Sequence, residues 1–191
     1  MTKEQLIQSL DYVNATREKR MQMTRSVMDN PKLLAPLLQI AFEGQNPVCD
    51  KACWILEYVV KQNPEFILPY INNFTQGLHT LKSESSIRPM AKICEILSKA
   101  FFSRKPNNIQ TVLSQDHLER MASACFDWLI GDHKVASKAY SMTSLFLLGK
   151  TFDWIHPELK LVLEQNYASG SSAYKARARM TLEKLNALKP C

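Results

Sequence analysis

Val48-Cys49-Asp50-Lys51-Ala52-Cys53-Trp54-Ile55-Leu56-Glu57-Tyr58-Val59-Val60 reads as one helix with a single apolar face. Val48, Ala52, Ile55, Leu56 and Val59 fall at offsets of four, seven, eight and eleven, the period of an α-helix. The opening of this pattern recurs three times. An apolar anchor is followed four residues later by alanine at Val48/Ala52, Ile87/Ala91, Val135/Ala139 and Tyr174/Ala178. The anchors are 39, 48 and 39 residues apart. Such a period means one structural unit written repeatedly. The small alanine marks where a neighbouring helix can approach closely.

Between these helices, termed B, lies a second kind, termed A. A helices are expected to start near residues 31, 64, 115 and 157, and B helices near 47, 86, 134 and 173. Asn-Pro dipeptides stand at Asn30-Pro31, Asn46-Pro47 and Asn63-Pro64. Asn caps free amides, and proline at the first helical position gives up no existing bond. Pro36 and Pro69 each follow six residues after the Asn, so a kink is expected at the same place in both A helices. His156-Pro157 is a weaker echo. Thr2-Lys3-Glu4-Gln5 fits a capping box. Asn14-Ala15-Thr16 is expected to break the chain before a helix over about 16–28. Arg104-Lys105-Pro106-Asn107-Asn108 reads as an inserted loop with a short turn over 109–113. It accounts for the long middle spacing.

Paired helices at a period near 40 residues resemble the HEAT-repeat family. The resemblance is carried by the prolines of the A helices and by the apolar-then-basic pairs Ile87-Arg88 and Tyr174-Lys175. It covers most of 30–190. Cys49 and Ala136 depart from it, standing where the family often has Arg. The resemblance implies an all-α, right-handed α-α superhelix of about five HEAT-like helical hairpins in one domain, 1–191. Residues 1–29 form an N-terminal capping hairpin, and 30–62, 63–104, 114–152 and 153–190 are the repeats. The helix over 173–188 separates a basic from an apolar face, as expected of a terminal cap.

Composition narrows the function classes. At 46% apolar and 22% charged residues, the chain has the balance of a globular protein rather than a disordered one. Lys and Arg total 24 against 18 Asp and Glu, which favours an acidic partner. No apolar run reaches the roughly 18 residues of a membrane span. The polar start Met1-Thr2-Lys3-Glu4-Gln5 leads into no apolar segment. The expectation is a cytoplasmic protein that does not enter a membrane, with reduced thiols at Cys49, Cys53, Cys94, Cys125 and Cys191.

Basic residues gather early in the B helices: Lys51, Arg88, Lys92, Lys134, Lys138, Lys175, Arg177 and Arg179. The resemblance implies that B helices line the concave face, which would set these charges in a stripe. Lys51, Arg88, Lys92, Lys138, Lys175 and Arg177 are the candidate binding residues for an acidic protein or another anionic partner. Tyr58 and Tyr140 add contact area. The plain alternative is a set of inter-repeat ladder residues and a solvated surface.

Chemistry is weakly marked. Phe-Asp-Trp occurs at 126–128 and 152–154. Aromatic rings beside a carboxylate suit base excision, and HEAT-like alkylpurine DNA glycosylases use Trp, Asp and Arg on a concave surface. A nucleic-acid-binding protein, including a repair glycosylase, is therefore the alternative function. Phe126, Trp128 and Trp154 are expected first as core aromatics, as large rings at helical spacing usually are. Ser85-Ser86-Ile87-Arg88-Pro89-Met90-Ala91-Lys92 partly resembles the signature loop of adenylosuccinate lyases. Arg88, Ala91 and Lys92 depart from it, and a lyase is the third reading. Cys49 and Cys53 share a helix face, but His79, His117, His133 and His156 are scattered, so no metal, cofactor or small-molecule substrate is inferred. No catalytic residue is assigned.

Overall fold

A computed structural model describes residues 2–14, 16–44 and 47–188. The expected cap at Asn46, the residue Ala15 and the thiol of Cys191 lie outside the described residues. Every regular element among the described residues is helical. Helices α1 (Lys3–Asp11), α2 (Arg17–Asp29), α3 (Leu34–Phe42), α4 (Pro47–Gln62), α5 (Ile71–Gly77) and α6 (Glu84–Phe101) fill the first half. The second holds α7 (Asn108–Val112), α8 (Gln115–Ile130), α9 (Val135–Leu148), α10 (Ile155–Tyr167) and α11 (Ser172–Asn186).

The B helices form one continuous row. α2 packs on α4, α4 on α6, α6 on α9 and α9 on α11. The A helices back them: α3 lies against α4, α8 against α9 and α10 against α11, while α1, α3, α5 and α8 also touch in sequence. Buried apolar side chains from α1 to α11 form one core. Ala52, Ala91 and Ala178 are fully buried, whereas Ala139 is half-buried. α6 lies between α4 and α9. Extra methylenes at Ala91 would therefore have to separate packed helices. Ala91→Leu is expected to cost about 2 kcal/mol, measured as a lower urea midpoint.

Local signals explain several helix starts. Thr2 and Gln5 make a reciprocal capping box. Ser83 accepts from the Ser86 amide at 3.1 Å and donates to the Asp50 carboxylate at 2.5 Å, so α4 helps to cap α6. Ser86 Oγ donates to the same carboxylate.

The A-helix prolines act differently from the expected kink. Pro31–Leu33 and Pro64–Tyr70 are 3-10 helices. Pro36 sits in the first turn of α3, and Pro69 is the penultimate residue of the second 3-10 segment. Both mark the change from 3-10 to α winding, where a missing N–H costs little because first-turn amides lack α-helical partners. Asn63 caps the Glu65 amide at 2.9 Å, but the Asn30 side chain makes no cap bond.

Pro89 is the proline inside a long helix. Lacking an N–H, it cannot bond the Ser85 carbonyl one turn back. The indole of Trp54 on α4 donates to that carbonyl at 2.9 Å. The vacancy in one helix is filled by the side chain of the next.

A candidate binding cleft on the B row

α2, α4, α6 and α9 together enclose an open cleft of about 440 Å³. Its lining is built in layers. At the floor, the Glu57 carboxylate is fully buried and bonded to Arg88 Nη2 at 2.8 Å and Lys61 Nζ at 2.5 Å. A buried carboxylate demands such partners, because desolvating an unpaired charge is very costly. Arg88 thereby uses two of its five N–H groups and keeps a third of its side chain exposed.

The walls hold cations by a different device. The Arg20 guanidinium lies 4.3 Å from the Trp54 ring centre, and Lys61 Nζ lies 5.2 Å from that of Tyr58. An aromatic face orients a cation without neutralising it; Lys61 is also paired with Glu57. Lys134, exposed, is the N-cap of α9 and offers no side-chain cap bond, so the first-turn amides of α9 add partial positive charge nearby. Glu84, the second carboxylate of the lining, is bound by His133 Nδ1 at 2.6 Å and by the Ser137 hydroxyl at 3.2 Å.

The six candidate residues separate. Arg88 lines the cleft. Lys92 lies 4.6 Å from the Tyr140 ring centre and 2.6 Å from Glu95. Burial pushes the Glu95 carboxyl up, but bonds from Lys92 and Lys99 outweigh it and hold the group below its usual range. Lys51 donates to the Asp11 main-chain carbonyl at 2.9 Å and ties α4 to the end of α1. Arg177 donates to Thr143 Oγ1 at 3.0 Å and to the Ala139 carbonyl at 3.4 Å, joining α11 to α9. Lys138 lines a separate, smaller cleft with Ser171 and Tyr174. Lys175 is half-buried on α11. Of the six, Arg88 lines this cleft, and three further cations of its lining, Arg20, Lys61 and Lys134, stand outside the six.

The signals for these three were weak. Arg20 belongs to the basic opening of α2, in a hairpin set apart as a terminal cap. Lys61 and Glu57 sit in the second half of α4, beyond the early B-helix positions. Lys134 is in the basic series but carried no feature to separate it.

The chemically suggestive motifs lie elsewhere. Phe126 and Trp128 are buried, whereas Trp154 is 47% exposed, contrary to a core role, and stacks on Phe126 at 5.5 Å. Asp127 reaches His79 Nδ1 at 3.3 Å, and neither Phe-Asp-Trp segment lines the B-row cleft. Residues 85–92 are helical within α6, with Ser86, Pro89, Met90 and Ala91 buried. Cys49, Cys53, Cys94 and Cys125 are buried free thiols. Burial pushes the Cys53 thiol far above its ordinary value, and burial with a hydrogen bond to Cys125 raises Cys94. Since the thiolate is the reactive form, Cys53 and Cys94 are expected to resist iodoacetamide in the folded protein and to react in urea. Mass spectrometry of the labelled chain checks this, and equal labelling in both states would contradict it.

Among the described residues, no His, Cys, Asp or Glu side chains group in threes as metal ligands, and no helix is long and apolar enough to cross a membrane. No family model, curated protein or solved structure matches the chain.

Proposed function

We propose that the chain is a non-catalytic binding protein of HEAT type, a right-handed helical solenoid of the cytoplasm, whose B-helix surface holds an acidic segment of a protein partner. The observation that carries this reading is the B-row cleft, where Arg20, Lys61, Arg88 and Lys134 converge from four helices. Against these four cations stand two carboxylates, Glu57 and Glu84, each already bonded within the protein. Electrostatic complementarity then favours an anionic ligand and speeds its encounter. The carboxylates in the lining disfavour a dense polyphosphate and suit a peptide. The cleft is open and shared among helices that each touch their neighbours, a geometry suited to a partner surface.

The test is fluorescence anisotropy at about 50 mM salt, a low-salt condition for charge-driven binding, with a labelled Asp/Glu-rich peptide and a labelled single-stranded oligonucleotide. The peptide is expected to bind. Lys134→Glu should weaken it by about tenfold, since each reversal replaces a weak attraction by a repulsion. Lys160→Glu, on α10 outside the cleft, should not. Oligonucleotide binding with a steep salt slope, and no peptide binding, would replace this reading with a nucleic-acid one.

A further inference from the structure

Two of the cleft cations meet at one point. Lys61 Nζ bonds Glu57 Oε1 and Arg88 Nη2 bonds Oε2, so both charges gather around a single buried carboxylate. Arg20 and Lys134 stand in the same lining, and among the described residues no carboxylate forms an ion pair with either. With Glu57 and Glu84 set against these four cations, the lining keeps a formal surplus of two positive charges. The volume, about 440 Å³, is that of a site for a small group, within the range of about 300–1,000 Å³ usual for such sites. Resting on the binding function above, we infer that the cleft takes one phosphorylated side chain of its protein partner, a phosphate monoester held at Arg88.

Charge, donors and order match this occupant. A phosphate monoester carries a charge of about −1.5 to −2 at pH 7, which answers the surplus of the lining, whereas one carboxylate leaves half of it. Its three terminal oxygens need several donors. Glu57 engages two N–H groups of Arg88 and leaves three in a planar fork, the geometry that suits phosphate. Lys134 adds an ammonium free of any ion pair, and Ala136 beside it is exposed and projects only a methyl group. The first turn of α9, whose N-cap makes no side-chain bond, favours an anion there. Arg88 is ordered in advance by Glu57 and Arg20 by the Trp54 ring, which lowers the entropic cost of binding. Glu57 and Glu84 cancel the charge that a second phosphate would need.

The experiment is isothermal titration calorimetry at about 50 mM salt with short unlabelled peptides Ala-Asp-X-Asp-Ala, where X is phosphoserine, glutamate or serine. The phosphoserine peptide is expected to bind about tenfold more tightly than the glutamate peptide. Lys134→Gln and Arg20→Gln remove groups that hold no ion pair within the protein, and each should cut that advantage to about threefold or less. Lys160→Gln, outside the cleft, should leave it unchanged. Inorganic phosphate should displace the phosphopeptide only in large excess. Displacement at equal concentration would assign the site to free phosphate and overturn the inference. Equal binding of the phosphoserine and glutamate peptides overturns it too, while leaving the acidic-partner function standing. A phosphoserine advantage that survives both cleft variants places the group elsewhere and also overturns it. If no peptide binds, both the inference and that function fall.

Discussion

Arg88→Met is expected to lower the stability of the protein by about 3 kcal/mol, and Glu57→Met in the same chain is expected to restore most of it. Glu57 is 0% exposed, and among the described residues its carboxylate is held by Arg88 and Lys61. Deleting Arg88 leaves a buried charge with one partner, and breaking such a pair is costly because the remaining ion is not rehydrated. The value is placed at the lower end of the usual range because Lys61 remains and Arg88 is one-third exposed. Replacing both members by apolar side chains removes the desolvation problem altogether, which is often neutral. Urea unfolding checks the pair of variants: with a slope near 2 kcal/mol/M, the Arg88→Met midpoint falls by about 1.5 M and the double variant recovers. A single variant within about 1 kcal/mol of the parent, on that same scale, would mean that the Glu57 carboxylate is solvated.

Phe74→Ala is expected to cost about 4 kcal/mol. Phe74 is fully buried in α5, and its ring centre lies 6.4 Å from that of Phe42 on α3. Gly77 on the same helix admits the Phe42 ring so closely that a methyl group there would meet it at 2.5 Å. This contact docks a short α-helix flanked by 3-10 segments, which has little intrinsic stability to lose. Truncation removes the ring's transfer energy and leaves a cavity among residues held on both sides. Trp154→Ala offers the comparison: Trp154 is half exposed and should cost under about 1 kcal/mol. The same urea measurement separates them. Similar small effects at both positions would show that 64–80 is not anchored as the structure has it.

Periodicity made the B helices legible. Val48/Ala52, Ile87/Ala91, Val135/Ala139 and Tyr174/Ala178 all fall in α4, α6, α9 and α11, because burial of one face imposes a 3.6-residue pattern on the chain itself. The inserted loop, its short helix α7 and the start of α8 were equally legible from caps and prolines. The segments expected as A helices from 31 and 64 instead open as 3-10 helices, with α winding only from Leu34 and Ile71. The consequence of Pro89 was not legible. Its missing N–H is a local fact, but the donor that answers the Ser85 carbonyl is Trp54, 31 residues earlier.

The candidate site was legible only in part. Basic residues can be counted in a sequence, but their partners cannot. Lys51, Arg88 and Arg177 look alike in sequence, and each bonds a neighbouring helix, through Asp11, Glu57 and Thr143, but Arg88 does so inside the cleft. Trp154 resembles a core aromatic and is half exposed, because it precedes α10 rather than facing inward from within a helix. By itself the sequence determined an all-α chain of alternating helices, their approximate ends and which faces are apolar, since these follow from local sterics and spacing. Only the tertiary structure decided that Glu57 is buried between Arg88 and Lys61, and that Arg20 and Lys134 share their cleft. Lys61 is four residues from Glu57 on the same helix, but the other pairings cross 31 or more residues, and charge says nothing about such partners until the helices are packed.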